Sequence, residues 1–300
     1  MLIINSIDAI PSDLPQPIAL TIGIFDGMHL GHQAIINSLL KKKQKTGTSI
    51  ILTFINHPSH IITPKHPILP LISFEHRLEL FKRSQLDIII ALPFTYDFAA
   101  QSYQTFLSTL KAKLPFSYLI LGEDAALGNN RTGNAAALKK LSQTMGFQLE
   151  HLKIIHHYKT TISSQNIRAF LQNGHLKKAK KLLGRNHSIW ASFELETITR
   201  DQNMLFKWEV VCHNLCPIPS AVYGVNLESQ EDIVPAIAFV KGEKTLTGSQ
   251  LKLTIYFETL PKPCSHLMIS FMKYLHNEIK PKEFECPSFF QSLSIQPSPL

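Results

Sequence analysis

Residues 18 to 32 read Ile18-Ala19-Leu20-Thr21-Ile22-Gly23-Ile24-Phe25-Asp26-Gly27-Met28-His29-Leu30-Gly31-His32. The stretch begins as an apolar run with the length and composition of a buried β-strand. It passes through a glycine-containing turn into a segment in which Ile36, Leu39 and Leu40 share one face of an amphipathic helix. A buried strand followed by a helix is the start of a strand–helix–strand unit, so this stretch predicts a parallel sheet.

The same alternation of strand-like and helix-like segments continues through the first half of the chain. Its repetition predicts a parallel sheet with helices on both faces, which binds ligands beyond the carboxyl ends of its strands. The predicted strands are Ile18–Phe25, Ser49–Phe54, Asp87–Leu92, Ser117–Leu121 and Gln148–Ile155, and the predicted helices are His32–Lys43, Phe74–Arg83, Ser102–Leu110 and Ala135–Met145.

The sequence changes in character after Gly184-Arg185. Short alternating segments punctuated by proline and glycine follow, as in a small antiparallel sheet. We therefore predict an α/β protein with a Rossmann-like parallel-sheet domain over residues 1–186 and a small, mostly β, barrel-like domain over residues 187–300. The remaining predicted elements are helices Ser164–Gln172 and Leu176–Leu183, strands Phe193–Thr199, Phe206–Cys212, Ala221–Leu227 and Leu251–Phe257, a helix at about Ser265–Ile279 and a loose tail rich in proline and serine.

The composition, with 44% apolar and 17% charged residues, is that of an ordinary globular protein. No run approaches the roughly 18 apolar residues that a transmembrane helix needs, and the N-terminus lacks the features of a signal peptide. These observations predict a cytoplasmic protein with no membrane partner. The net charge of +8 suits anionic partners, either nucleotides or nucleic acid. The sequence does not predict an oligomeric state.

The cysteines all lie in the last third of the chain and form no CxxC pair. With no secretion signal, we interpret them as buried thiols rather than as a disulfide framework. The run Cys212-His213-Asn214-Leu215-Cys216 contains half of a zinc ligand set, but the other half is missing, so we predict no metal site formed by the protein itself. The four positions are Cys212, Cys216, Cys264 and Cys286.

The strongest chemical signal is the His-x-Gly-His sequence of His29-Leu30-Gly31-His32, at the predicted start of the first helix. A helix N-terminus offers unpaired N–H groups and the positive end of a dipole, both favourable to phosphate. Gly27 and Gly31 let the backbone approach a ligand closely. His29 and His32 can both donate hydrogen bonds to charge that develops on one phosphate. A lone histidine would more often be structural; this pair predicts function.

Two further segments have groups that suit phosphate. Leu121-Gly122-Glu123-Asp124 ends a predicted strand and leads into a loop that contains Arg131. Ser163 or Ser164 can cap the helix that follows, and Arg168 lies one turn into it. Hydroxyl groups, helix N–H groups and a guanidinium together can hold a polyphosphate, although Ser163 alone would be interpreted as a plain N-cap.

Other phosphate motifs are excluded. The chain contains no GxGxxG sequence. Gly128-Asn129-Asn130-Arg131-Thr132-Gly133 has the glycine spacing of a Walker A loop, but Asn134-Ala135 follows where Lys-Ser/Thr is needed. The chain is therefore not an ordinary P-loop kinase or dehydrogenase.

Together these residues resemble the bacterial bifunctional riboflavin kinase/FAD synthetase family, within the nucleotidyltransferases that carry His-x-Gly-His. Four motifs in the family's order cover nearly all of residues 18–186, which makes the resemblance specific. The matching motifs are Gly23–His32, Leu52-Thr53-Phe54 with His57-Pro58, Gly122-Glu123-Asp124 with Gly128, and Ile162-Ser163-Ser164 with Ile167-Arg168, and Leu182-Leu183-Gly184-Arg185 resembles the family's link between two domains.

The resemblance implies a flavin adenylyltransferase, in which the phosphate of FMN attacks the α-phosphorus of Mg-ATP and pyrophosphate leaves. It implies ATP and FMN as substrates, Mg²⁺ bound with ATP, and a catalytic role for His29 and His32 in stabilising the transition-state phosphate. The binding residues that it implies are Gly23, Phe25 and Asp26 at the nucleotide, Gly31 and Asp124 as further contacts, and Ser163, Ser164 and Arg168 at the β- and γ-phosphates.

The first domain departs from the family's pattern near the expected flavin. The family usually has phenylalanine where this chain has Ala125 and Leu127, so the resemblance implies a flavin subsite built differently. The family's Ser-Ser-Thr is Ser163-Ser164-Gln165 here, with one hydroxyl fewer. Neither change affects the histidines.

The second domain resembles the family's riboflavin kinase barrel only in outline. The family's Pro-Thr-Ala-Asn motif corresponds to Val211-Cys212-His213-Asn214, and its catalytic glutamate falls near Lys252. A protonated lysine cannot accept the proton of a substrate hydroxyl. We predict a divergent domain with poor riboflavin kinase activity, unless Glu243 or Glu258 supplies the carboxylate.

Three alternatives stay open at this stage. The chain could transfer a nucleotidyl group to another phosphorylated acceptor, or it could be a non-catalytic flavin- or nucleotide-binding protein. A nucleic-acid binder is the third alternative, but no Lys-Met-Ser-Lys-Ser-like loop or base-stacking aromatic motif is present, so we expect no nucleic-acid partner.

Overall fold

The computed structural model describes residues 1–201, 204–245 and 248–277. By its internal contacts the chain divides into two units, the first formed by Met1–Ile68 and Arg77–Ile162 and the second by Leu69–His76 and Ser163 onward. The assignment of separate activities to residues 1–186 and 187–300 stays a prediction.

The first unit contains a six-stranded parallel sheet in the order β1-β4-β3-β2-β5-β6. This confirms the predicted α/β architecture, and the edge strand β1 is an addition to the predicted set. The strands are β1 (Leu2–Ile4), β2 (Ile18–Ile22), β3 (Thr48–Phe54), β4 (Ile88–Leu92), β5 (Tyr118–Gly122) and β6 (Gln148–Leu152). The helices are α1 (Leu30–Lys42), α2 (Ser59–Ile62), α3 (Phe74–Lys82), α4 (Tyr96–Ala100), α5 (Tyr103–Lys113) and α6 (Ala135–Met145), of which α3 begins in the second unit.

The strands at the centre of this sheet are buried along their whole length, as expected when both faces are covered. Side chains of β2, β3 and β4 such as Leu20, Leu52 and Ile90 pack with Phe106 and Leu110 of α5 in one apolar core. These apolar runs form strands rather than helices because they are short and are bounded by turn residues.

The order of the strands reverses at β2. The chain moves from β2 to β3 on one side, whereas β5 returns to the other side of β2, with Thr21 opposite Ile120. In an open parallel sheet, loops that leave such a point in opposite directions open a crevice at the carboxyl ends of the strands. The loops after β2 and β5 are the ones that carry the predicted histidines and Asp124.

The first unit ends in a short hairpin of β7 (His156–His157) and β8 (Thr160–Thr161), and the second continues with two helices. Helices α7 (Ser164–Gln172) and α8 (Leu176–Leu183) have the predicted bounds. Leu176, Ala179 and Leu182 form the buried face of α8, and its lysines are exposed. The lysine-rich stretch is thus the solvated side of an amphipathic helix.

The rest of the second unit is a seven-stranded antiparallel sheet, curled into a half-barrel, in the order β10-β11-β14-β13-β12-β15-β9. It confirms the predicted small β domain. Its strands are β9 (Ser188–Ser192), β10 (Thr199–Arg200), β11 (Phe206–His213), β12 (Ala221–Glu228), β13 (Ile233–Thr245), β14 (Gly248–Phe257) and β15 (His266–Asn277).

The predicted helix at Ser265–Ile279 is wrong for the residues that the structure describes. His266–Asn277 is a strand that pairs with β12 on one side and with β9 on the other. Leu267, Met268, Ile269, Ser270 and Phe271 are buried in succession because both faces of β15 are covered. An apolar run without alternation cannot be assigned to strand or helix from periodicity alone. The predicted tail lies outside the described residues.

The predicted strand Phe193–Thr199 is also wrong. A strand ends at Ser192, Leu195–Thr197 form a 3₁₀ turn, and the short β10 starts at Thr199. Strand β13 was missed because it contains Pro235, which argues against a central strand. Pro235 is tolerated there because the pairing of β13 with β14 begins only at Ala236.

Within the described ranges, no helix is long and apolar enough to cross a membrane. Cys212, Cys216 and Cys264 are free thiols. Cys216 is buried as predicted, whereas Cys212 and Cys264 are only half-buried, and Cys286 lies outside the described residues.

Candidate active site

The turn that follows β2 has an unusual backbone. Phe25, Gly27 and Met28 all have positive φ angles, of 55°, 77° and 45°. A positive φ is common for glycine but is a genuine outlier for a bulky residue such as phenylalanine. Phe25, Asp26 and Met28 are nevertheless buried. The turn is therefore held in a defined conformation by its surroundings.

His29 caps helix α1. It lies in the extended region, and its Nδ1 accepts a hydrogen bond from the backbone N–H of His32, at 3.3 Å. Because Nδ1 is an acceptor, the neutral form of His29 carries its proton on Nε2. The helix thus begins at Leu30 rather than at the predicted His32, and the first histidine is part of the helix start.

Gly31 makes room for the ring of His29. A Cβ atom at position 31 would lie 3.1 Å from both Cε1 and Nδ1 of His29, closer than side chains normally approach. The glycine of the His-x-Gly-His sequence is therefore explained by a close contact within the motif itself.

The structure brings His29 and His32 together. Their rings are stacked, with centroids 3.6 Å apart and planes at 17°. The ring of Phe25 packs against His32 at a centroid distance of 5.1 Å. A Cβ at Gly23 would lie 3.1 Å from Cε2 of Phe25, so Gly23 leaves space for that ring. Predicted residues Gly23, Phe25, Gly31, His29 and His32 therefore form one cluster, and the buried Asp26 lies in the same turn.

Two residues of α3 support this cluster and were missed from the sequence. The buried guanidinium of Arg77 donates hydrogen bonds to the carbonyl oxygens of Ile24 and Phe54. One turn later, Phe81 packs edge-on against Phe25 at 5.6 Å. A signal was present, because Arg77 lies on the apolar stripe of its predicted helix, where a charged residue is unexpected.

Asp124 lies in the exposed turn after β5, and the side chain of Arg131 donates to its carbonyl oxygen at 2.8 Å. A Cβ atom at position 122 would lie 3.2 Å from a carboxylate oxygen of Asp124, so Gly122 leaves space for that side chain. Since β5 is the neighbour of β2, this turn leaves the same edge of the sheet as the histidine turn.

The serines and Arg168 lie at the start of α7, in the second unit. Ser163 is the N-cap of this helix, because its Oγ accepts from the N–H of Asn166 at 3.2 Å. Arg168 donates through Nε to the carbonyl oxygen of Leu69 at 2.9 Å. Ser163, Ser164 and Arg168 are half-buried. Their predicted role at phosphates stays a prediction.

Ala125 and Leu127, the departures from the family's pattern, pack against the apolar core of the first unit. Leu127 also exchanges backbone hydrogen bonds with Gly133. The small and aliphatic side chains at these positions therefore have a structural role in the loop.

The kinase-like segment lies on neighbouring strands of the second unit. Val211 is paired with Lys252 across β11 and β14, and Lys252 lies 3.7 Å from a carboxylate oxygen of Glu243. Burial raises the pKa of the Cys212 thiol to about 11, so it is neutral at physiological pH. Within the part of the chain that the structure describes, no group of three or more His, Cys, Asp and Glu residues could hold a metal ion.

Comparison with known proteins identifies relatives of the first half of the chain. The FAD synthetase family model matches residues 12–166. A bifunctional riboflavin kinase/FMN adenylyltransferase of Buchnera aphidicola subsp. Schizaphis graminum is 32% identical over 174 residues, 57% of this chain and 56% of the relative. The corresponding protein of Haemophilus influenzae is 32% identical over 58% of each chain. The matched part is thus little more than half the length of these relatives.

Two other similarities extend this comparison. A FAD synthetase of Listeria monocytogenes is 28% identical over 185 residues, 60% of this chain and 74% of that protein. The crystal structure of a protein described as a macrolide-efflux protein from Streptococcus pneumoniae has a TM-score of 0.77 at 20% identity, covering 97% of this chain and 95% of that one. At that identity the similarity concerns the fold alone.

Proposed function

The chain belongs to the FAD synthetase family, and from this premise we propose that it transfers the adenylyl group of ATP to FMN, giving FAD and pyrophosphate. The observation that carries the proposal is the stacked pair of His29 and His32 at the start of α1. The pair follows β2, where the order of the strands reverses and an α/β sheet binds its ligand.

The reaction needs no nucleophile from the protein. An oxygen of the FMN phosphate forms a bond to the α-phosphorus of ATP, the bond from that phosphorus to the bridging oxygen breaks, and pyrophosphate leaves with the electron pair. Catalysis of this kind rests on positioning and on stabilisation of charge at the transferred group.

His29 and His32 would stabilise that charge. Because the Nδ1 of His29 accepts from the helix backbone, the proton on Nε2 is the one that His29 can donate to a phosphate oxygen. The N-terminal N–H groups and dipole of α1 would add to this effect. Gly31, by admitting the His29 ring over the first turn, would keep the donor and the helix end together.

The remaining predicted residues would bind the substrates. We propose Gly23, Phe25 and Asp26 as the lining of the nucleotide pocket and Asp124 as a contact from the turn after β5. Ser163, Ser164 and Arg168 would hold the β- and γ-phosphates through hydroxyls, helix N–H groups and a guanidinium. Mg²⁺ would arrive with ATP, held mainly by phosphate oxygens and water as Mg²⁺ prefers. A cytoplasmic location also stays a prediction.

The test is to incubate the purified full-length protein with Mg-ATP and FMN and to separate the flavins by chromatography. We expect FAD and an equal amount of pyrophosphate. A parallel panel of other phosphorylated acceptors examines the alternative that Ala125 and Leu127 leave open. Tight ATP binding without FAD would contradict the proposal: transfer to another acceptor would then identify a different nucleotidyltransferase, and no transfer would identify a binding protein.

A further inference from the structure

Arg77 occupies a position that is costly for a charged side chain. It is 6% exposed, and its guanidinium donates to the carbonyl oxygens of Ile24 and Phe54. Burial of a cation is unfavourable unless hydrogen bonds replace its water. Ile24 follows β2 and Phe54 ends β3, and these two strands are neighbours at the centre of the sheet. Arg77 therefore joins the carboxyl ends of two strands next to the histidine turn.

The contacts of Arg77 and of its neighbour Phe81 hold Phe25 in place. Its φ of 55° and ψ of 31° lie in the left-handed region, where a phenylalanine stays only if its surroundings hold it. Arg77 binds the carbonyl of the residue before it, Ile24, and the hydroxyl of Thr53 donates to the same carbonyl at 3.4 Å. Phe81, one turn from Arg77 on α3, packs against the ring of Phe25 at 5.6 Å. Backbone and ring are thus held from one helix.

The contacts continue from Phe25 to the histidines. The ring of Phe25 lies 5.1 Å from that of His32, which stacks on His29 at 3.6 Å. All of these residues belong to the first unit. We propose that Arg77 and Phe81 form a clamp that fixes Phe25 and thereby orients His32 and His29 for adenylyl transfer. Both are positioning residues, and the inference rests on the proposed function.

The clamp predicts a specific kinetic effect. Histidines displaced by a fraction of an ångström still allow substrates to bind but stabilise the transition state less well, and a displacement of about 1 Å can cost roughly 10²-fold in rate. Arg77→Met should lower kcat for FAD formation by about 10- to 100-fold, with the KM for FMN within about threefold of wild type. The KM for ATP should change less than kcat, although Phe25 also lines the proposed nucleotide pocket. Arg77→Lys, which keeps a cationic donor, should recover part of the loss.

Arg83→Met is the matched control. Arg83 is also an arginine and directly follows α3, but its side chain is exposed and pairs with Glu79 at 3.3 Å. It should leave kcat unchanged. Phe81→Leu is a second variant, which keeps an apolar side chain but removes the ring contact with Phe25, and it should lower kcat in the same manner as Arg77→Met.

A readout that needs no activity separates this inference from the proposed function. The imidazole NMR signals of His29 and His32, assigned with His29→Asn and His32→Asn, should shift in Arg77→Met and Phe81→Leu but not in Arg83→Met. If the wild type makes no FAD but these signals shift, the clamp stands and the adenylyl-transfer proposal fails. If FAD forms and Arg77→Met and Phe81→Leu change neither the signals nor kcat per folded molecule, the clamp is refuted. A lower melting temperature with unchanged kcat and signals would likewise overturn it, since Arg77 would then be only structural.

Discussion

The imidazole rings of His29 and His32 lie face to face, with centroids 3.6 Å apart, while Nδ1 of His29 accepts the N–H of His32. His29 therefore has two separable roles: Nδ1 caps the helix, and Nε2 of the neutral ring carries the proton that we propose is donated to phosphate. A substitution that keeps the cap but removes the ring can distinguish the structural role from the chemical one.

His29→Asn should lower turnover by about 10²- to 10³-fold, the usual loss for a transition-state donor. Asparagine is a good N-cap, so stability should change little, whereas His29→Ala should also cost about 1 kcal/mol of unfolding free energy. His32→Ala should lower turnover to a similar extent. Steady-state FAD formation and urea unfolding measure the two effects. Near-normal turnover in His29→Asn would mean that this histidine serves only as a cap.

Gly31→Ala should lower turnover by about tenfold or more, because the new Cβ would lie 3.1 Å from the His29 ring and displace it. Helix propensity works in the opposite direction, since alanine is favoured over glycine by up to about 1 kcal/mol in a helix. Asn37→Ala is the matched control, at an exposed position further along α1 where helix propensity also rises. Equal activity of Gly31→Ala and Asn37→Ala would show that the His29 ring tolerates the methyl group.

His187 should make the second unit sensitive to acid. Complete burial, and secondarily the charge of Arg185, lower the pKa of His187 to about 3. An unfolded histidine has a pKa near 6.5, so below that pH the unfolded chain takes up a proton that the folded chain refuses. The contribution of neutral His187 to the free energy of unfolding is therefore complete above about pH 6.5. It is lost progressively as the pH falls toward 3.

His187→Gln should remove this contribution to the pH dependence. The free energy of unfolding would fall less steeply between about pH 6.5 and 4 in the variant, by up to a few kcal/mol over the window. The fluorescence of Trp190 and Trp208, both in the second unit, reports its unfolding in urea. Parallel curves for wild type and variant would mean that His187 does not couple folding to protons.

Much of the first unit was predictable because its signals are local. Helix α6 has the bounds Ala135–Met145 expected from sequence, since Asn134 caps one end and Gly146, with a φ of 66°, ends the other. The position of the two histidines at the start of α1 was predictable for the same reason. Strand β15 was not, because its buried run owes its conformation to pairing with β12 and β9, which are distant in sequence.

The support of the site was missed for a related reason. The partners of Arg77 are carbonyls 53 and 23 residues away, and no spacing within α3 indicates them. The stacking of the two histidines also depends on the φ angle of Phe25 and on the space that Gly31 leaves. Sequence predicts which groups carry the chemistry, whereas tertiary contacts determine how these groups are oriented.

The second unit should phosphorylate riboflavin poorly, if at all. In the predicted match to the family's kinase motif, Cys212 takes the place of a threonine hydroxyl. With its pKa raised to about 11, it stays a neutral thiol, which is a poor Mg²⁺ ligand. Lys252 brings a positive charge where a carboxylate base is expected. Loss of a general base typically costs 10²- to 10⁴-fold, so we expect riboflavin turnover at least about 100-fold below that of FMN.

Glu243 is the carboxylate that could replace the missing base, because it lies next to Lys252. Its carboxylate oxygens are 3.7 Å from Nζ of Lys252 and 3.4 Å from Nζ of Lys241. Both lysines hold the Glu243 carboxylate as an ion-pair partner, so it would have to leave them to accept a hydroxyl proton. The measurement is ATP-dependent conversion of riboflavin to FMN in wild type, Glu243→Gln and Asn214→Ala. Robust conversion that Asn214→Ala abolishes would restore a bifunctional enzyme, and its loss in Glu243→Gln as well would identify Glu243 as the base. Conversion that neither substitution affects would point to a contaminating kinase, because both residues that could serve the reaction would then be dispensable.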